Sequence, residues 1–108
     1  MNADNVKSQM RKGMLEYCIL LLLHKKAAYA SDIIGRLKEA RLIVVEGTLY
    51  PLLTRLKNDS LLSYEWIEST QGPPRKYYCL TSQGEHFLSE LEASWNELNE
   101  TVIHLKTN

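Results

Sequence analysis

Six apolar residues near the carboxyl end, Leu88, Leu91, Trp95, Leu98, Val102 and Leu105, recur at alternating spacings of three and four. That is a heptad a/d seam of nearly three repeats, and it commits the chain from about residue 82 to Lys106 to one long helix. At 1.5 Å per residue such a helix is about 35 Å long. A chain of 108 residues makes a single domain with one core. A body of that size cannot cover the whole stripe, so part of it is expected to face another chain. Thr81 or Ser82 is placed to cap the helix.

Upstream, apolar residues from about Ser8 to Lys25 fall on nearly every side of a helix, through Met10, Met14 and the run Ile19 to Leu23. A helix apolar all round is a buried one. Ser31 or Asp32 can cap a second helix with Ile33, Ile34 and Leu37 inward and Arg36, Lys38 and Glu39 outward. A short link then leads into "VEGTLYPLLTRLKNDSLL", Val45 to Leu62, where Leu49, Leu52, Leu53 and Leu56 mark the apolar face of a third helix. Two helices joined by a short turn form a helix-turn-helix unit. Beyond Leu62 the period changes to two. "LSYEWIE" puts Leu62, Tyr64 and Trp66 on one face, and "RKYYCLT" repeats the strand composition. Tyr77 and Tyr78 point to opposite sheet faces, so at most one is core. The intervening "STQGPP" is dense in turn formers and predicts a hairpin with a flexible, basic tip. The expected fold is mainly α with a small β-hairpin.

The third helix places Gly47 and Pro51, the poorest helix formers, in its first turns. They are mutually compatible, because a proline ring crowds the residue four positions back and a glycine there relieves part of the clash. A helix N-terminus with small residues also approaches a phosphate backbone closely and offers it unpaired N–H groups. Thr48, Tyr50, Thr54, Arg55 and Lys57 occupy the faces left free by the leucine stripe and can reach bases and phosphates.

Charge placement agrees with such a partner although the formal net charge is zero. Residues 1 to 80 hold 12 Lys/Arg against 8 Asp/Glu, a net +4, and residues 81 to 108 hold one against five, a net −4. A basic body is joined to an acidic tail. The longest apolar run, Cys18 to Leu23, is far short of the roughly 20 residues that span a bilayer, so no membrane association is expected. The amino terminus lacks the pattern of a secretory signal, and a cytoplasmic location follows as the expectation. Cys18 and Cys79 form no short-spaced pair and read as reduced core residues. His24, His86 and His104 are scattered without metal-ligand spacing. No nucleophile elbow, phosphate-cradling loop or HExxH motif is present, so neither catalysis, a metal nor a cofactor is indicated.

"GTLYPLLTRLKNDSLL" followed by "GPPRKYYCLTSQG" resembles the PadR family of bacterial transcriptional regulators over essentially the whole chain. A single carboxyl-terminal helix in place of a larger effector domain resembles the family's small subgroup. The resemblance implies a winged helix-turn-helix DNA-binding domain over residues 1–81 and a dimerisation helix over 82–108. It implies a homodimer that represses transcription by binding a palindromic operator in double-stranded DNA. The helix from Gly47 to Asn58 would enter the major groove with Thr48 and Tyr50 near the DNA, and Arg75 and Lys76 on the wing would track the backbone or the adjacent minor groove. In the small subgroup an aromatic residue on the last helix can line a cavity that accepts flat apolar compounds. Carried over to Trp95, this implies a planar aromatic effector; the plain alternative is that Trp95 packs the dimer. A winged-helix interaction module that binds a protein instead of DNA is the rival reading, favoured by the zero net charge and opposed by the basic, tyrosine-bearing third helix and wing.

Overall fold

The computed structural model describes residues 1–108 in the order α1 (Ala3–Lys25), β1 (Ala28–Tyr29), α2 (Ala30–Glu39), α3 (Glu46–Asn58), β2 (Leu62–Ser69), β3 (Gly72–Leu80) and α4 (Ser82–Thr107). It is a winged helix-turn-helix with a long last helix, as the sequence predicts. The core is built from Ile19 and Leu20 of α1, Ile33 and Leu37 of α2, and Leu49 and Leu53 of α3, with Leu62, Tyr78 and Leu88 closing it from the sheet and α4. No buried side-chain polar atom lacks a partner.

Three expectations about the elements are corrected. α1 begins at Ala3, not near Ser8, because the Asn2 side chain caps it by accepting from the Asp4 N–H at 2.8 Å. The stretch before α2 holds a third strand that periodicity cannot reveal in two residues: β1 pairs antiparallel with β3 through Ala28 with Tyr78 and Tyr29 with Tyr77, giving the sheet order β1-β3-β2. β3 starts at Gly72, so Pro73 and Pro74 belong to the strand and the hairpin turns at Thr70 and Gln71. The prolines are tolerable there because this end of the hairpin lies beyond the short β1 and forms an edge.

α2 and α3 are each followed, just beyond the C-cap, by a residue with left-handed backbone, Arg41 at φ 67° and Ser60 at φ 65°. Each allows the chain to reverse and the helix to close its last carbonyls: Leu42 N–H donates to Leu37 O at 2.8 Å, and Leu61 N–H to Leu56 O at 3.0 Å. Glycine adopts this conformation without the Cβ penalty. Ser60→Gly is therefore expected to stabilise the fold by about 0.5–1 kcal/mol, read as a higher midpoint of urea unfolding.

Thr81, one of the two predicted caps, starts α4 by accepting from Gly84 N–H at 2.9 Å. Its hydroxyl proton faces the Ser60 carbonyl at 2.6 Å, and its own N–H donates to Leu61 O at 3.1 Å. One residue thus ties the start of α4 to the end of α3. His24 Nδ1 at the end of α1 meets Glu85 Oε2 at 2.7 Å and fixes the same turn from the other side.

Leu88 corrects the extent of the open seam. It is 5% exposed and already covered within the chain, and Leu91 is half-buried against the same core. From Glu92 onward every residue of α4 is exposed, including Trp95, Leu98, Val102 and Leu105. The predicted division at residue 82 falls at the helix cap, while packing runs across it through Gly84 and Leu88. Cys18 and Cys79 are free and half-buried. Burial pushes the Cys18 thiol up, and Cys79 lies opposite Ser63, with Sγ 3.0 Å from its hydroxyl.

Candidate nucleic-acid interface

α3 is positioned by its leucine stripe. Leu49, Leu52, Leu53 and Leu56 are all buried, which leaves the rest of the helix in solvent. Pro51 lies inside the helix and has no N–H to give the carbonyl of Gly47, four residues back, which lies on the exposed face. A Cβ at Gly47 would meet nothing within 4 Å outside the helix itself. The first turn is open to a close approach, and Val45 provides no side-chain cap for its N–H groups.

The exposed polar residues of α3 divide between two flanks, a division that helical periodicity did not predict. Tyr50 and Thr54 turn toward the wing and share a cleft of about 380 Å³ with Trp66, Pro74, Arg75 and Lys76. Lys57 lies further along that flank, with its ammonium 5.8 Å from the Tyr64 ring centre. Thr48 turns the other way, bordering a small cleft with Ser8, Arg11 and Lys12 of α1. Arg55 also points away from the wing. Its guanidinium reaches Glu16 of α1 at 3.3 Å, while most of the side chain stays in solvent. The reason is angular: Arg55 follows Leu52 by three residues and sits over the groove between α3 and α1.

The wing orients both of its cations. The Arg75 guanidinium stacks 4.0 Å from the Tyr29 ring centre and donates to the Ser31 hydroxyl at 3.4 Å. The Lys76 ammonium lies 4.6 Å from the Tyr64 ring centre and 5.4 Å from that of Trp66. Tyr78 is the core member of the tyrosine pair, and Tyr77 packs edge-on against Tyr29. Burial, with Tyr50 and Tyr64 adding to it, pushes the Tyr78 phenol above its ordinary value.

Behind α3 a second cavity, of about 630 Å³, opens between α1, α3 and α4. Met14, Tyr17, Phe87, Leu91, Trp95 and Leu98 give it an apolar lining, and Leu52, Arg55 and Leu56 of α3 form one wall. Partial burial, with Glu92 and Cys18 nearby, pushes the Tyr17 phenol up. Sequence reasoning singled out Trp95 but not that the back of α3 faces it, since only the crossing of the three helices brings them together.

The profile described as "Transcriptional regulator PadR-like family" matches residues 19–90. The chain belongs to this family. A crystal structure of a PadR-like transcription factor from Bacteroides fragilis is 85% identical, with a TM-score of 0.81, covering 94% of this chain and 98% of that one. A PadR-like transcriptional regulator from Bacillus cereus is 36% identical, also at a TM-score of 0.81, covering 93% and 98%. An uncharacterised protein from Lysinibacillus sphaericus is 32% identical over 90% of this chain and 92% of its own length. As a PadR-like regulator the chain is a DNA-binding protein of transcription and not an enzyme. No helix of this PadR-like chain is long and apolar enough to cross a membrane.

Proposed function

We propose that the chain acts in the cytoplasm as a homodimeric repressor, bound to a palindromic operator and released from it by a planar aromatic compound lodged against Trp95. The observation that carries the dimer is the uncovered distal half of α4, where Trp95, Leu98, Val102 and Leu105 are 40%, 59%, 47% and 72% exposed along one stripe. A contiguous apolar surface of that length is unfavourable in water unless a partner covers it. A second copy offers the same seam, and the heptad spacing suits helix against helix. Two-fold symmetry would then present two α3 helices to half-sites about 34 Å apart, which is why a palindrome is the matching operator.

In this reading Thr48, Tyr50 and Thr54 meet base edges near the open first turns of α3. Lys57, Arg75 and Lys76 neutralise phosphates. The cavity supports the effector: its size suits a small ligand and its lining is apolar. Because α3 forms one wall, an occupant that binds better when α3 is displaced would shift the protein toward a form that no longer fits the operator.

The test is an anisotropy titration of the protein against its own upstream DNA and a scrambled duplex at two salt concentrations. Preference for the upstream fragment, with steep salt dependence, supports the reading; equal weak binding to both counts against an operator there. Replacing Arg75 and Lys76 by alanine is expected to weaken binding to both duplexes alike and to lower the salt slope by roughly one per lost phosphate contact. An unchanged slope removes the pair from the phosphate-binding set.

A further inference from the structure

We propose that Trp66 is the apolar anchor of the wing, packing its indole face on a deoxyribose of the DNA strand that runs through the cleft between α3 and the hairpin. The inference rests on the DNA-binding reading. It adds a contact that carries no charge and lies outside α3.

Adjacent major and minor grooves of a duplex are separated by a single sugar–phosphate strand. If α3 lies in the major groove and the wing at the neighbouring minor groove, that strand has to pass between them. The cleft there is bordered by Tyr50 and Thr54 on one side and by Trp66, Pro74, Arg75 and Lys76 on the other, and no carboxylate lines it. Its charge suits a phosphodiester backbone.

Trp66 is 60% exposed on β2, a large apolar area for a surface strand. Its ring is nonetheless held. It stands edge-on to Tyr64, with centres 5.8 Å apart and planes at 88°, and Tyr64 in turn packs on Tyr78 at 5.7 Å. Tyr78 is 4% exposed and anchored in the core. The three rings form a ladder from the core to the open wing, and Lys76, the cross-strand partner of Trp66, spans its outer two rings. A rigid aromatic surface loses little side-chain entropy when it meets a ligand. Beside two cations aimed at phosphates, an indole face is complementary to the C–H face of the intervening sugar.

The test compares the tryptophan emission of the full wild-type chain with that of Trp66→Phe, the difference reporting Trp66, on a mixed-sequence duplex long enough for two half-sites, at low salt. Adding DNA is expected to change Trp66 emission. Trp66→Ala in the wild-type background is expected to weaken binding about tenfold, equally for upstream and scrambled duplexes and with no change in the salt slope. Trp66→Phe should restore most of the affinity. A merely structural role for Trp66 moves the unfolding midpoint and leaves the emission of the DNA complex unchanged. Unaltered emission together with unaltered affinity of Trp66→Ala overturns the sugar contact and turns the exposed indole toward a protein partner. If the wild-type chain itself binds neither duplex, the DNA-binding reading fails first and takes the inference with it.

Discussion

A chain carrying Leu98→Glu is expected to sediment as a monomer and to bind upstream DNA about a hundredfold more weakly than the wild type. Leu98 sits between Trp95 and Val102 on the open stripe of α4 and is 59% exposed. Replacing it therefore removes little that its own chain uses, and circular dichroism of the variant should stay close to that of the wild type. In a dimer joined along the seam the same position lies in a desolvated interface, where an unpaired carboxylate is strongly unfavourable. Loss of the dimer unlinks the two recognition helices, and each half-site contact then has to form independently. Asn96→Glu places the same charge on the opposite face of α4 and should leave the dimer intact. Sedimentation velocity reads both variants; a Leu98→Glu chain that remains dimeric would place the interface elsewhere.

The second large effect falls on the fold. Gly84→Ala is expected to destabilise the chain by about 2 kcal/mol, the size of a small-to-large substitution at a site with no room. A Cβ at this position would collide with the backbone carbonyl oxygen of Leu61, and would stand 2.6 Å from Leu80 Cδ1. The leucine can turn away, but the carbonyl is held by the Thr81 N–H at 3.1 Å and cannot. Gly84 is itself fixed, since its N–H donates to the Thr81 hydroxyl. Gly35 provides the contrast: a Cβ there meets nothing within 4 Å, so Gly35→Ala should instead stabilise α2 by up to about 1 kcal/mol. Urea unfolding of the two variants should shift in opposite directions. A stable Gly84→Ala chain would mean that α4 can lift from the α3–β2 junction at little cost.

Destabilisation at Gly84 also bears on the proposed regulation, in which the same junction would couple the position of α4 to α3. Thr81 holds both Ser60, just past the end of α3, and Gly84, in the first turn of the helix carrying Trp95. An occupant of the cavity beside Trp95 would press on α3 at Leu52 and Leu56 directly and through this junction from its far end.

Much of this was legible in the order of residues. The leucine stripe of α3 is buried as its spacing requires, Thr81 caps α4, and the change of period after Leu62 marks the start of β2. Those features depend on neighbours three or four positions apart, or on strict alternation, and a linear string records both. Glycine was harder to read. Gly47 is marked in the sequence by Pro51 four residues on, whereas Gly84 has no such local mark, although it is the glycine whose Cβ would meet a backbone carbonyl. The two-residue β1 was invisible for a related reason, since its partner lies some fifty residues away in β3.

The sequence by itself determined which residues are apolar and at what period, and so the helices, the wing, the basic body, the acidic tail and a seam longer than one small domain can cover. The tertiary structure alone decided how that seam is divided, with Leu88 inside the core and Trp95 onward left open. It also decided which flank of α3 faces the wing, turning Tyr50 and Thr54 toward Arg75 and Lys76 and tying Arg55 to Glu16. The physical reason is that periodicity fixes the angle of a side chain about its own helix axis, while what it meets depends on how that axis crosses its neighbours. That crossing is set by the packing of α3 on α2 and β2 and of α4 on α1.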